Sequence, residues 1–145
     1  MAAKAIPDGF GTVTPYLVVD GLADVTDFLK RAFDAREIDR MTQPGGRIMH
    51  AEVKIGDSMI MMGEPTGESQ ARPSNLYVYV PDVDATYRCA IEAGGKSLGE
   101  PRDQFYGDRS GGVQDPSGNS WWIATHKEDV SRDEILRRAQ HAHGA

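Results

Sequence analysis

Tyr106-Gly107-Asp108-Arg109-Ser110-Gly111-Gly112-Val113-Gln114-Asp115-Pro116-Ser117-Gly118-Asn119-Ser120-Trp121-Trp122-Ile123-Ala124-Thr125-His126 is the stretch from which the fold can be read. At its centre, Asp115-Pro116-Ser117-Gly118 has the chemistry of a type I turn. Proline presets the backbone angle at the second position, aspartate can hydrogen-bond the backbone from the first, and glycine tolerates the exit geometry at the fourth. A hairpin follows, with its second strand running from Ser120 to Thr125. That strand carries both tryptophans of the chain, Trp121 and Trp122, side by side. Neighbouring residues in a strand point to opposite faces, so both faces are expected to be covered.

Upstream of the hairpin, Leu76 to Val80 reads as a strand. Asp82 then caps a helix carrying Val83, Tyr87, Ala90 and Ile91 at helical spacing, and Gly94-Gly95 stops it. A polar strand around Lys96 to Glu100 completes the unit. The same order occurs earlier in the chain. Val13 to Val19 is a strand, and Leu22, Val25, Phe28, Leu29, Ala32 and Phe33 form the single apolar stripe of a helix. Asp20 or Asp24 can accept from the free N–H groups at its start, and Lys30 and Arg31 suit the negative end of its dipole. A short polar strand, Glu37 to Thr42, a turn at Pro44-Gly45-Gly46 and a hairpin of Ile48 to Ile55 with Ser58 to Met62 follow.

Superposing the two runs offsets them by about sixty residues, which marks a duplicated supersecondary unit. The expected fold class is therefore α+β: two βαβββ modules, about 11–65 and 74–127, whose curved mixed sheets lie around a cleft. Together they form a single domain over residues 1–145. Residues 63–73, rich in Gly, Pro, Glu and Ser, read as the connecting loop. A short C-terminal helix, about 131–142, is marked by Ser131 and Glu134 at capping-box spacing and by Val130 and Ile135 as a hydrophobic staple.

Composition narrows the function classes. The chain has 145 residues, 39% hydrophobic and 26% charged, enough for one domain with a sizeable core. A net charge of -6 excludes nucleic acid and an anionic membrane as main partners, because both draw on clustered Lys and Arg. The single cysteine, Cys89, cannot close an intramolecular disulfide and reads as a packed thiol in a reducing cytoplasm. No apolar run resembles a signal peptide or is long enough to cross a bilayer, and residues 1–10 read as a loose leader.

Several motifs now combine. They are Thr14-Pro15-Tyr16-Leu17-Val18-Val19-Asp20-Gly21, His50-Ala51-Glu52-Val53-Lys54-Ile55-Gly56-Asp57-Ser58, and the opening stretch with its Asp115-Pro116-Ser117-Gly118-Asn119-Ser120-Trp121 turn. On the duplicated plan, these resemble the vicinal oxygen chelate superfamily, which includes glyoxalase I, bleomycin-resistance proteins and extradiol dioxygenases. Trp122 to Val130 resembles its PhnB-like branch in particular. The fold hosts many reactions, so the resemblance does not by itself select one.

Catalytic relatives hold a divalent metal with side chains from the first and fourth strands of each module. On that resemblance Thr14 takes the first ligand position, Met61 or Met62 the second, Asn75 the third and Trp122 the fourth. Such metals want imidazole and carboxylate, so the resemblance implies an abolished metal site and no cofactor. The wall of the cleft is then Thr14, Tyr16, Met61 or Met62, Asn75, Tyr77 and Trp122, with His50 and Tyr106 beside it. An aromatic wall with few polar handles suits a flat or greasy organic molecule.

His50 and Glu52 share one strand face and read either as an acid–base pair or as a plain ion pair. Asp108 and Arg109 read as recognition groups or loop charges, and His126 as a hydrogen-bonding residue fixing the tail. The expected function is metal-independent binding of a small aromatic or apolar molecule by a homodimer, with no nucleic-acid or membrane partner. A lyase, isomerase or dioxygenase-type enzyme is the alternative.

Overall fold

The structure, a computed structural model, describes residues 2–143. The first module runs β1 (Tyr16–Val18), α1 (Leu22–Phe33), β2 (Arg36–Thr42), β3 (Ile48–Ile55) and β4 (Ser58–Gly63). The second runs β5 (Asn75–Tyr79), α2 (Val83–Glu92), β6 (Lys96–Asp103), β7 (Asp108–Gln114) and β8 (Ser120–His126), and α3 (Arg132–His143) follows. Each module makes one four-stranded sheet, ordered β1-β4-β3-β2 and β5-β8-β7-β6. In each, the first strand is parallel to the fourth and the other pairs are antiparallel. The expected α+β architecture of two mixed sheets, a helix on each and a C-terminal helix is the one observed. The duplication is exact in register: Tyr16 pairs with Met61 and Tyr77 with Trp122, a step of sixty-one residues on both strands.

The turn in the opening stretch forms as its residues dictate. Gly118 N donates to Asp115 O at 3.0 Å, and the Asp115 carboxylate accepts from the backbone N–H groups of Ser117 and Asn119. Its second oxygen accepts from Asn119 Nδ2 and from Trp121 Nε1, both at 2.9 Å. One buried aspartate thus fixes the turn and orients the side chains of Asn119 and Trp121.

Trp121 is fully buried and meets Phe33, at the end of α1, with ring centroids 5.3 Å apart. That contact is part of a single core that takes in the helix-facing residues of both sheets. Leu17, Val53 and Met62 come from the first sheet, Val113, Trp121 and Ile123 from the second, and Phe28 and Leu29 from α1 between them. Helices α1 and α2 pack directly on each other, and Arg31 of α1 donates to the carbonyl of Glu92 at 3.1 Å. With the helices between the sheets, the second face of each sheet points outward and is open.

Four local expectations are corrected. β1 begins at Tyr16 rather than Val13, because Pro15 has no N–H for a ladder and contributes only its carbonyl, which accepts from Met61 N at 2.9 Å. No side chain caps α1. Its N-cap is Gly21 in the left-handed conformation, and neither Asp20 nor Asp24 accepts there. Cys89 is exposed, not packed, because the buried stripe of α2 runs through Val83 and Ala90 and leaves position 89 on the outer side. Only half of the capping box on α3 forms. Ser131 Oγ accepts from Glu134 N at 3.2 Å, while the Glu134 carboxylate is taken up by Arg137 and Arg138.

Candidate functional site

The outward face of the first sheet is built around Tyr16. Its ring lies 5.8 Å from that of His50, and its hydroxyl sits over Gly63, where a Cβ would stand 2.5 Å from the oxygen. Any side chain at 63 would displace it. His50 Nε2 lies 3.0 Å from Glu52 Oε2, as expected for residues two apart in a strand. Met61, paired with both Tyr16 and Glu52, completes this surface, whereas Met62 is wholly buried on the helix side. Of the two methionines considered, Met61 therefore faces outward. Thr14 is half-buried in the segment ahead of β1.

The outward face of the second sheet carries Asn75, Tyr77 and Trp122. Trp122 is 36% exposed, so the expectation of cover on both faces of its strand holds for Trp121 alone in one chain. Its indole lies on Gly112, the residue opposite on β7, and its Nε1 donates to Asn75 Oδ1 at 3.5 Å. A groove of about 570 Å³ runs past it, lined by Leu98, Glu100, Arg102 and Ser110 among others. The volume lies within the range of small-molecule sites.

Beyond Trp122 lies a cluster that sequence reasoning saw only in part. Asp108 is 4% exposed, and three side chains converge on it. Tyr77 Oη donates to Oδ2 at 2.7 Å, Tyr79 Oη to the same oxygen at 3.0 Å, and His126 Nδ1 lies 2.8 Å from Oδ1. Tyr106 Oη is 3.4 Å from Tyr77 Oη, and His126 Nε2 is 2.8 Å from Asp129. Asp108 is thus not a loop charge. Arg109, its neighbour, turns to the other face and forks onto Asp84 at 2.8 and 3.0 Å, with Asp103 at 3.4 Å, so it tethers α2 and is no recognition group. His126 does fix the tail, through Asp129. Tyr79 was missed, although its signal, a second tyrosine two residues after Tyr77 in one strand, is plain.

The electrostatics follow from this geometry. Burial works to raise the Asp108 pKa, but hydrogen bonds from His126, Tyr77 and Tyr79 outweigh it and hold the carboxyl below its usual range. The bonds to Asp108 and Asp129 raise His126 above its ordinary value. Burial, then the bonds to Tyr106 and Asp108, push the Tyr77 hydroxyl far above the usual tyrosine range, so it stays a proton donor. With carboxylates at both ring nitrogens, His126 is suited to the doubly protonated form.

A sequence model of the family described as "Glyoxalase/Bleomycin resistance protein/Dioxygenase superfamily" matches residues 9–123. The chain belongs to the glyoxalase/bleomycin resistance protein/dioxygenase superfamily. Among its relatives in this superfamily is an uncharacterized protein of Mycobacterium bovis, 34% identical over 134 residues that span 85% of this chain and 88% of the relative. Two solved structures share the fold. TioX from Micromonospora sp. ML1 is 23% identical with a TM-score of 0.69, over 80% of this chain and 98% of that one. A glyoxalase-related enzyme from Fulvimarina pelagi is 17% identical with a TM-score of 0.64, over 79% and 87%.

The four positions at which the resemblance would place metal ligands hold Thr14, Met61 (Met62 being buried on the helix side), Asn75 and Trp122. A hydroxyl, a thioether, an amide and an indole do not fit a divalent cation that wants imidazole and carboxylate. Among the described residues no group of three or more His, Cys, Asp or Glu side chains is arranged to hold one. No helix among them is long and apolar enough to cross a membrane.

Proposed function

We propose that this protein is a metal-independent small-molecule binder of the PhnB-like branch, which holds a flat aromatic or apolar molecule against Trp122. The observation that carries the reading is the seating of Trp122: its indole lies against Gly112 and lines a groove of ligand size. Large aromatic side chains on an open sheet face are costly to leave in water, and Tyr16 at 52%, Tyr77 at 45% and Trp122 at 36% exposure await cover.

A second copy of the chain completes the site in this reading. Because α1 and α2 hold the two sheets back to back, one chain cannot set Tyr16, His50 and Met61 opposite Tyr77 and Trp122. Two chains about a twofold axis can, with each cleft walled by the first sheet of one and the second sheet of the other. The unpaired Cys89 supports a reducing cytoplasm as the compartment.

Titration with naphthalene, followed by tryptophan fluorescence, tests the binding. Saturable quenching is expected, with Trp122→Ala weakening it by about 1–3 kcal/mol and with metal well below one ion per chain by elemental analysis. Stoichiometric metal, or quenching unaffected by Trp122→Ala, overturns the reading. The second reading, an enzyme of the lyase, isomerase or dioxygenase type, is favoured by one observation, the 3.0 Å contact of His50 with Glu52 beneath Tyr16. Turnover that His50→Ala abolishes would bring it forward.

A further inference from the structure

The hydroxyl protons of the Asp108 cluster all run inward. Tyr77 and Tyr79 both give theirs to Asp108 Oδ2, so in the 3.4 Å contact between Tyr77 and Tyr106 the donor is Tyr106. The lone pairs of these phenols, and their ring faces, are what remains for anything approaching from the open side. Tyr77 and Tyr79 stand 5.2 Å apart with planes tilted by 57°, forming two sides of a shallow box, and Trp122 is the cross-strand neighbour of Tyr77. A phenol that donates to a carboxylate has a more electron-rich ring and attracts positive charge more strongly. Tyr79 is 63% exposed, and its ring is open to a ligand.

The charges agree. His126 lies between Asp108 and Asp129, and even with the imidazole protonated the three together keep one negative charge, while Arg109 is drawn to the opposite face by Asp84 and Asp103. Glu100 and Arg102, both on the groove beside Trp122, offset each other. A carboxylate or phosphate ligand would find acceptors and net negative charge at the cluster. A cation would find three aromatic faces and a cluster of net negative charge.

We propose that the Tyr77–Tyr79–Trp122 face, backed by Asp108, takes the positively charged nitrogen of an organic amine, protonated or quaternary, attached to the apolar body that Trp122 holds. The proposal rests on the reading of Trp122 as a ligand wall and adds the charge of what binds there.

Its test uses two probes of equal shape, phenyltrimethylammonium and tert-butylbenzene, which differ in a quaternary nitrogen against a quaternary carbon. Each is titrated into the full chain with tryptophan fluorescence and NMR shifts as readouts. The cation should bind about tenfold tighter than its neutral twin. Tyr79→Leu, at an exposed position, and Asp108→Asn should each bring the two affinities together; Tyr79→Phe, which keeps the ring, should preserve most of the preference. Equal or tighter binding of tert-butylbenzene overturns the cation site and leaves the Trp122 wall standing. Binding of neither probe overturns both. A preference that survives Tyr79→Leu and Asp108→Asn, with shifts that bypass Tyr77, overturns the cation site alone.

Discussion

The indole of Trp122 lies against Gly112, its partner across the β7–β8 ladder, so closely that a Cβ at position 112 would stand 2.5 Å from Cζ3. The outer face of the second sheet is flat at this point because one of its residues has no side chain. Gly112→Ala should therefore push the ring off the sheet. The expected result is a shift in the emission of the less buried tryptophan and a stability loss of about 1 kcal/mol, at the low end for overpacking, because the ring can swing into solvent. An unchanged emission spectrum with unchanged melting would show that the ring does not rest there.

Asp115 offers a sharper stability test. Its carboxylate serves two backbone N–H groups, Asn119 Nδ2 and the wholly buried Trp121 Nε1. Asp115→Ala strands buried donors and should cost about 3 kcal/mol or more in denaturant unfolding, since each unsatisfied group costs roughly 1–3 kcal/mol. Asp115→Asn keeps one acceptor oxygen and should cost less. Equal losses for the two would mean that the second oxygen, with its bonds from Asn119 Nδ2 and Trp121 Nε1, carries the effect rather than the turn.

Stability should depend on pH from both sides through one contact, the 2.8 Å pair of His126 Nδ1 with Asp108 Oδ1. The folded pKa of His126 is raised, so its contribution is full below the unfolded value of about 6.5 and is lost as pH climbs through the raised one. That of Asp108 is lowered, so its contribution is full above the unfolded value near 3.8 and is lost as pH falls through the depressed one. The melting temperature should pass through a plateau between about pH 4 and 6.5. His126→Ala should flatten the alkaline decline, and a profile identical to that of the parent protein would refute the assignment.

α3 provides a fourth test. Ser131→Ala removes the acceptor for Glu134 N and should cost roughly 0.5–2 kcal/mol in thermal unfolding. The loss requires a docked helix, and Arg138 docks it, reaching Phe105 O at 3.3 Å and Glu128 at 2.6 Å. Arg138→Ala should make the Ser131 substitution nearly silent. Additive losses from the two would separate the cap from the docking.

Assembly is the fifth. Sedimentation at micromolar concentration should show a dimer, and mixing a Tyr16-defective chain with a Trp122-defective one should restore one binding cleft per pair. A species of 15.8 kDa alone would count against the shared cleft.

The sequence by itself determined the two modules and their strand and helix order. These follow from local chemistry: period-two and period-3.6 apolar patterns, Gly94 after α2, and the Asp115 turn act within a few residues. It also separated Trp121 from Trp122 by face, because alternation in a strand is a local rule. Only the tertiary structure decided which of those faces is covered, since cover depends on α1 and α2 meeting between the sheets. It likewise decided the role of Asp108, which reads as an ordinary polar residue until Tyr77, Tyr79 and His126, 31, 29 and 18 residues away, converge on it. A buried carboxylate is made by partners from neighbouring strands, and strand order is set by packing across the whole chain rather than by the residues beside it.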